Sequence, residues 1–152
     1  MYEYIISFLG LPTGYVIAKY TEEELKKGKI YFQLIEIITL IAIVGILLNN
    51  FQAIPYALGL VIGYFFRYEY FYLGLGAVNN LENSLRFLHS SLIFLYGLAY
   101  GSINYKNINL VLFNLLFFLM PFLLILLEYY VTSLAAGALT STLILKAYKL
   151  IE

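Results

Sequence analysis

From Ile30 to Leu48 the chain carries one charged side chain, Glu36, and from Leu110 to Leu127 it carries none. Apolar stretches of that length are about what a helix needs to cross the ~30 Å hydrocarbon layer of a bilayer. Four more stretches read the same way: Tyr2 to about Tyr20, Ala53 to at least Phe66, Leu85 to Ile103, and Val131 to about Leu145. A soluble fold must cover itself with polar side chains, yet 62% of these 152 residues are apolar and 12% charged, against about 45–50% and 25% in soluble domains. Mean hydropathy is +0.86. The expected fold is all-α: a polytopic integral membrane bundle of six transmembrane helices, five being the alternative, in one domain over residues 1–152 with no soluble part. The count turns on Glu128-Tyr129-Tyr130, which has no Gly or Pro. Two spans are expected there because about 36 residues in one helix would overshoot the bilayer.

Local signals refine the spans. Gly10, Pro12 and Gly14 predict a kinked first helix, which lacks the charged start and cleavage site of a signal peptide and is read as retained. Thr21 and Glu24 have capping-box spacing, and Glu22/Lys26 and Glu23/Lys27 are i,i+4 pairs. That helix is expected to run through Gly28 into the second span. Pro55 falls in the first turn of the third span, which ends either at Arg67-Tyr68-Glu69 or at Gly74 and Gly76; Pro121 should kink the fifth.

Lys19, Lys26, Lys27 and Lys29 cluster around the first loop, so the positive-inside rule makes Thr21–Lys29 cytoplasmic and the N-terminus external, in a multi-pass cell-membrane protein. Six spans then put Arg67 and Arg86 inside but Lys106, Lys146 and Lys149 outside. Five spans bring the C-terminal lysines inside, and the two counts stay in tension. Tyrosines near span ends, among them Tyr2, Tyr4, Tyr20, Tyr31, Tyr68, Tyr70, Tyr72, Tyr105, Tyr129 and Tyr130, are read as an interfacial aromatic belt.

Absences narrow the chemistry. There is no Cys and no Asp, and one His. Disulfides, thiolate metal sites and cysteine nucleophiles are excluded, as are aspartate-based proteases and Asp-rich magnesium sites. No HExxH or GxSxG occurs, so neither a metal nor another cofactor is expected. Net charge is zero and no basic patch interleaves with aromatics, which speaks against nucleic acid. The expected partners are the lipid bilayer, anionic headgroups at Lys26, Lys27 and Lys29, and a homo-oligomer or larger membrane complex.

Three patterns remain. Gly10/Gly14, Gly59/Gly63 and Gly97/Gly101 have GxxxG spacing, and Ser133/Gly137/Ser141 extends it; such pairs let helices cross closely, within a chain or between copies. Glu36, flanked by Gln33 and Thr39, forms a polar stripe in the second span, with Arg67 as its expected partner. A charge there costs ~3 kcal/mol on insertion scales and is partnered or functional. Asn79, Glu82, Asn83, Arg86, His89 and Ser90 recur at spacings of three and four, one face of a helix. Glu36, Arg67, Glu82, Arg86, His89, Asn79 and Asn83 are therefore the candidate ligand- or ion-binding residues, around a polar cavity open to the cytoplasm. Three functions compete. The first is a small transporter, channel or ion-translocating subunit. The second is a non-catalytic membrane subunit or assembly factor whose charges are structural. The third is a lipid-modifying enzyme using Arg86 and Lys29 as a phosphate clamp.

Overall fold

The computed structural model of the chain describes residues 2–78, 83–124 and 131–151, and these are helical with short connections. Eight α-helices follow one another: α1 (Tyr2–Phe8), α2 (Gly10–Tyr20), α3 (Glu22–Leu47), α4 (Ala53–Phe65), α5 (Glu69–Ala77), α6 (Asn83–Ile103), α7 (Ile108–Leu119) and α8 (Val131–Ile151). Short 3-10 turns extend α3 (Leu48–Asn50) and α7 (Met120–Leu124). Two segments, Gly28–Leu47 of α3 and Val131–Ile151 of α8, are long and apolar enough to cross a membrane.

Proline and glycine set most of the breaks. The first helix divides at Leu9, just ahead of Pro12, which has no N–H to return to the Phe8 carbonyl. Pro55 sits in the first turn of α4, where its missing N–H is harmless. The α7 helix tightens to 3-10 geometry at Met120–Leu124, around Pro121. Asn107 caps α7 by accepting from the Leu110 N–H at 3.1 Å. Thr21 does not form the expected capping box. Its hydroxyl donates back to the Ile17 carbonyl at 3.1 Å, beside its own N–H, which closes the last turn of α2 on the same oxygen.

Cross-helix contacts fix the direction of every element. Gln52 N–H donates to Ser133 Oγ at 2.9 Å, Tyr56 to Thr140 at 3.2 Å, and Ser141 to the Leu60 carbonyl at 2.6 Å, so α4 and α8 run parallel. Gly10 faces Phe94 and Gly14 faces Leu98, so α2 and α6 are parallel too. The α3 helix is antiparallel to α8: Glu36 meets Lys146, and the 3-10 turn after α3 packs on α8. The α5 helix starts beside Lys146 at Glu69 and reaches Leu47 and His89 at Gly76. The described residues thus run from one end of the bundle to the other seven times, as α1–α2, α3, α4, α5, α6, α7 and α8.

That path takes the first of the two expected ends of the third stretch, at Arg67-Tyr68-Glu69, and adds a helix before residue 78 that was not expected. The third stretch does not run on to Gly74 and Gly76; it turns at Phe66–Tyr68, and α5 is an additional, short and almost wholly buried pass. Gly74 lies inside α5, where a Cβ would collide with the Phe118 carbonyl of α7, so it serves close approach and not helix termination. The extra pass moves Arg86 to the opposite end of the bundle from Arg67. Every other Lys and Arg, namely Lys19, Lys26, Lys27, Lys29, Arg67, Lys106, Lys146 and Lys149, then falls toward one end, here called the near end.

The small-residue pairs form two interlocked seams. A Cβ on Gly10, Gly14, Gly97 or Gly101 would overlap backbone of α6 or α2, and one on Gly59, Gly63 or Gly137 would overlap backbone of α8 or α4. Backbone-to-backbone contact of this kind gains dispersion energy that side chains would block. Between the seams lies a core including Leu40, Ile43, Leu47, Leu73, Ile93, Tyr96, Phe118 and Leu139. Tyr4, Tyr70 and Tyr72 are buried in it and do not belong to an outer belt. Outward faces are apolar as well: Ile38, Ile41, Ile54, Leu58, Val61, Phe65, Leu112, Leu116 and Ile144 are all exposed.

Candidate ion-handling site

The chemistry of the bundle concentrates on Lys146. This residue lies on α8 more than halfway toward the near end, and its ammonium is surrounded by α3, α5 and α6. Nζ donates to Glu36 Oε2 at 2.9 Å, Glu69 Oε2 at 2.8 Å and the Tyr96 hydroxyl at 2.7 Å. An ammonium has three hydrogens, and all three are used. The Tyr96 hydroxyl in turn donates to Glu69 Oε2. The faces of Tyr96 and Tyr100, one turn apart on α6, lie 4.9 and 5.1 Å from Nζ, within cation–π range.

Local sequence explains each position. Glu36 stays on the inward face of α3, where Thr39 is also buried with its hydroxyl returned to the Ile35 carbonyl. Glu69 is the first residue of α5, so the turn at Phe66–Tyr68 delivers it to the bundle axis, and the Tyr72 hydroxyl secures that turn by donating to the Phe66 carbonyl at 2.7 Å. The Glu36 and Glu69 side chains are 7% and 12% exposed, and that of Lys146 21%. Two carboxylates share one ammonium, a formal charge of −1. At an effective dielectric constant of about 20, unlike charges near 4 Å attract by about 4 kcal/mol, so the pairing offsets much of the cost of burying them. Glu36 Oε1 and the Tyr70 hydroxyl are buried without a hydrogen-bond partner among the described residues.

Two clefts open on this triad from the near end. One, of about 230 Å³, is lined by Arg67, Glu69, Tyr100, Asn114, Lys146 and Lys149. The other, of about 290 Å³, is lined by Gln33, Glu36, Tyr100, Asn104, Lys146 and Lys149 among others. Tyr100, Lys146 and Lys149 belong to both, so the two lysines of α8 divide a single vestibule and one carboxylate ends each branch. Asn114 of α7 donates to the Tyr100 hydroxyl at 3.2 Å.

The expected site residues separate. Glu36 pairs with Lys146 and not with Arg67, because the turn after α4 leaves Arg67 exposed on the vestibule wall while α8 brings a lysine to the level of Glu36. His89 lies in the far half of the bundle, two turns of α6 from Tyr96, buried against Tyr4, whose hydroxyl is 3.4 Å from Nδ1. The stripe containing Arg86 and His89 therefore does not share a cavity with Glu36: the added pass α5 reverses the expected direction of α6. Arg86 and Lys29 lie at opposite ends and make no joint phosphate clamp. Asn79 and Glu82 lie outside the described residues, as does the side chain of Asn83, and so do Tyr129 and Tyr130 and the side chains of Tyr2, Lys26 and Lys27. Lys29 is exposed and lines a separate near-end cleft with Glu22 and Lys106. Glu69, Tyr96, Tyr100, Asn114 and Lys146 were not singled out by spacing, although two signals were there. Lys146 follows a long uncharged run, and Tyr96 and Tyr100 are i,i+4 on one helix.

No three His or Glu side chains among the described residues converge as metal ligands. Comparison with family models, with curated proteins and with solved structures gives no match to this chain.

Proposed function

We propose that this chain is a multi-pass membrane protein of seven helical passes that moves a small ion or solute in step with protons through the Glu36–Lys146–Glu69 triad. Three features support the membrane setting. The outward faces of α3, α4, α7 and α8 are apolar, which on a water-exposed surface would invite aggregation. The close seams are built from Gly and Ser, as helix association in lipid favours. All cationic residues but Arg86 fall toward the near end, which makes that end cytoplasmic and the N-terminus external, and the odd number of passes removes the charge conflict of an even one. A pass much shorter than about 20 residues, such as α5, fits a bundle in which a buried helix is shielded by longer neighbours.

The observation that carries the transport reading is the sharing of one lysine by two largely buried carboxylates at the floor of an open vestibule. One proton taken from the vestibule neutralises the triad, and a second frees Lys146 from its partners. Ionisable groups placed so deep tend to mark ion or proton paths. A second reading has its own support: Lys146 ties α3, α5 and α6 to α8, which a purely structural clasp would also do.

Proteoliposomes loaded with a pH-sensitive dye test the choice, with a potassium diffusion potential as driving force and a panel of small solutes. Proton flux, alone or with one solute, that Glu69→Gln lowers at least tenfold (about 1.4 kcal/mol in barrier) supports transport. If every condition matches empty liposomes, and the stability lost in Glu36→Gln is restored by adding Lys146→Gln, the triad is a clasp and the protein a structural subunit.

A further inference from the structure

The two clefts carry unlike charge, and the difference names a ligand class. The Glu69 branch is lined by Arg67, Lys146 and Lys149 against one carboxylate, whereas the Glu36 branch has Lys146 and Lys149 against one. Arg67 and Lys149 are both exposed, and neither has an ion-pair partner among the described residues. Deeper in, Asn114 donates to the Tyr100 oxygen, and the Tyr100 hydroxyl hydrogen has no acceptor among the described residues. A branch with three cationic side chains and a free hydroxyl donor is a receptor for a small oxyanion, since charge-assisted donors of this kind converge on carboxylates and phosphates.

We propose that the Glu69 branch binds a small oxyanion, a carboxylate or a phosphate, and that the anion replaces Glu69 as a partner of Lys146. This deepens the transport reading and rests on it for its direction of access. Arg67 and Lys149 capture the anion at the vestibule. Glu69 accepts a proton at its free oxygen, Oε1, while Oε2 keeps the hydrogen from Tyr96. The Lys146–Glu69 ion pair opens, Lys146 keeps its bond to Glu36, and its released hydrogen turns to the anion. Charge balances: Arg67, Lys146 and Lys149 against Glu36 and Glu69 sum to +1, and one monoanion entering with one proton leaves that sum unchanged. The other charged or titratable groups facing the triad are Tyr70 on α5 and Tyr96 and Tyr100 on α6, all of which stay neutral in this step.

The test is anion binding by calorimetry to the purified protein in neutral detergent, at fixed ionic strength, with sodium phosphate and sodium acetate as probes and chloride as control. Proton exchange is read in parallel with a pH indicator. The expected result is saturable binding of acetate or of phosphate as its monoanion, with about one proton taken up by Glu69 per anion bound. Arg67→Gln and Lys149→Gln each weaken it about tenfold or more. Glu69→Gln binds more tightly and takes up no proton. Dihexanoyl phosphatidic acid separates the sources: if it binds through the same residues and displaces phosphate, the natural anion is a lipid headgroup, and if it does not while phosphate binds, it is a free solute. Binding no stronger than chloride, binding insensitive to both Arg67→Gln and Lys149→Gln, or binding without proton uptake each overturns the proposal. The two readings fail separately: flux without anion binding removes the anion assignment alone, and anion binding without flux removes transport alone.

Discussion

The near and far halves of the bundle both bury polar groups, but they satisfy them differently. In the far half, the serine hydroxyls of α1 and α6 return to their own helices: Ser7 donates to the Tyr4 carbonyl at 2.7 Å, and Ser90 to the Phe87 carbonyl at 2.8 Å. His89 meets Tyr4 edge-on, with ring centroids 5.9 Å apart. The groove outside, between α1 and α6, is mostly apolar, lined by Ile6, Phe87, Phe94 and Leu95 with three serines. In the near half, no single helix satisfies Glu36, Glu69 or Lys146; each needs side chains from other helices, and open clefts reach them. A polar stripe along one helix is therefore a weak mark of function. Charges that depend on one another across three helices, with a tyrosine from a fourth, are a stronger one, because removing any member leaves the others unpaired in a low dielectric.

The contrast breaks most visibly at Lys146. Lys146→Met strands two buried carboxylates, and the expected loss is about 3–5 kcal/mol in detergent unfolding experiments. Adding Glu36→Gln and Glu69→Gln should recover a large part of it. A loss below about 1 kcal/mol would mean that the two carboxylates do not depend on Lys146, and the distinction between the halves would fall.

The packing seams come next. Gly137→Ala places a methyl group against the Tyr56 carbonyl, and Gly97→Ala places one within 2.8 Å of the Leu11 nitrogen, so backbones must separate. Each should cost about 1–3 kcal/mol. Gly45 on α3 meets nothing within 4 Å, so Gly45→Ala should instead stabilise by a few tenths to about 1 kcal/mol through helix propensity. Equal thermal shifts for Gly45→Ala and Gly137→Ala would mean that the seams are not close-packed.

Much of this was legible in the sequence. Apolar runs, prolines and the uninterrupted passage through Gly28 placed most helices within a few residues, and small-residue spacing picked out both seams. The fifth helix was not legible, because nine residues rich in Gly, Tyr and Leu have no outward polar face to set a period. Without that helix every later pass reverses, and Lys146 falls at the opposite end of the bundle from Glu36. The site was half visible for a related reason. Glu36 announced itself by depth, but its partners come from residues 69, 96 and 146, and sequence spacing says nothing about which distant helices touch.

The far half offers a sharper control. His89→Phe keeps an aromatic edge against Tyr4 and removes Nε2, which is buried without a partner among the described residues. Removing an unsatisfied group offsets the loss of the Tyr4 contact, so stability should change by less than about 1 kcal/mol in either direction. A loss as large as that of Lys146→Met would give the far half a polar dependence of its own.

The smallest expected effect lies at the near-end surface, where the connection from α6 to α7 is fastened to the start of α3. Tyr105 donates to Glu22 Oε1 at 2.6 Å, and chiefly through that hydrogen bond its phenol is pushed from 10.0 up to about 12. The bond exists only while the phenol keeps its proton. The folded-state value lies above the unfolded one, so the contribution is complete below pH 10 and disappears as pH rises through 12. Tyr105→Phe lacks it at every pH. In detergent melting experiments, the unaltered protein should hold a small, constant advantage over Tyr105→Phe up to about pH 10, and that advantage should shrink to nothing near pH 12. Taking the difference between the two proteins cancels the other tyrosines, which titrate in both. A gap that stays constant through pH 12 would show that Tyr105 fastens the loop by packing alone.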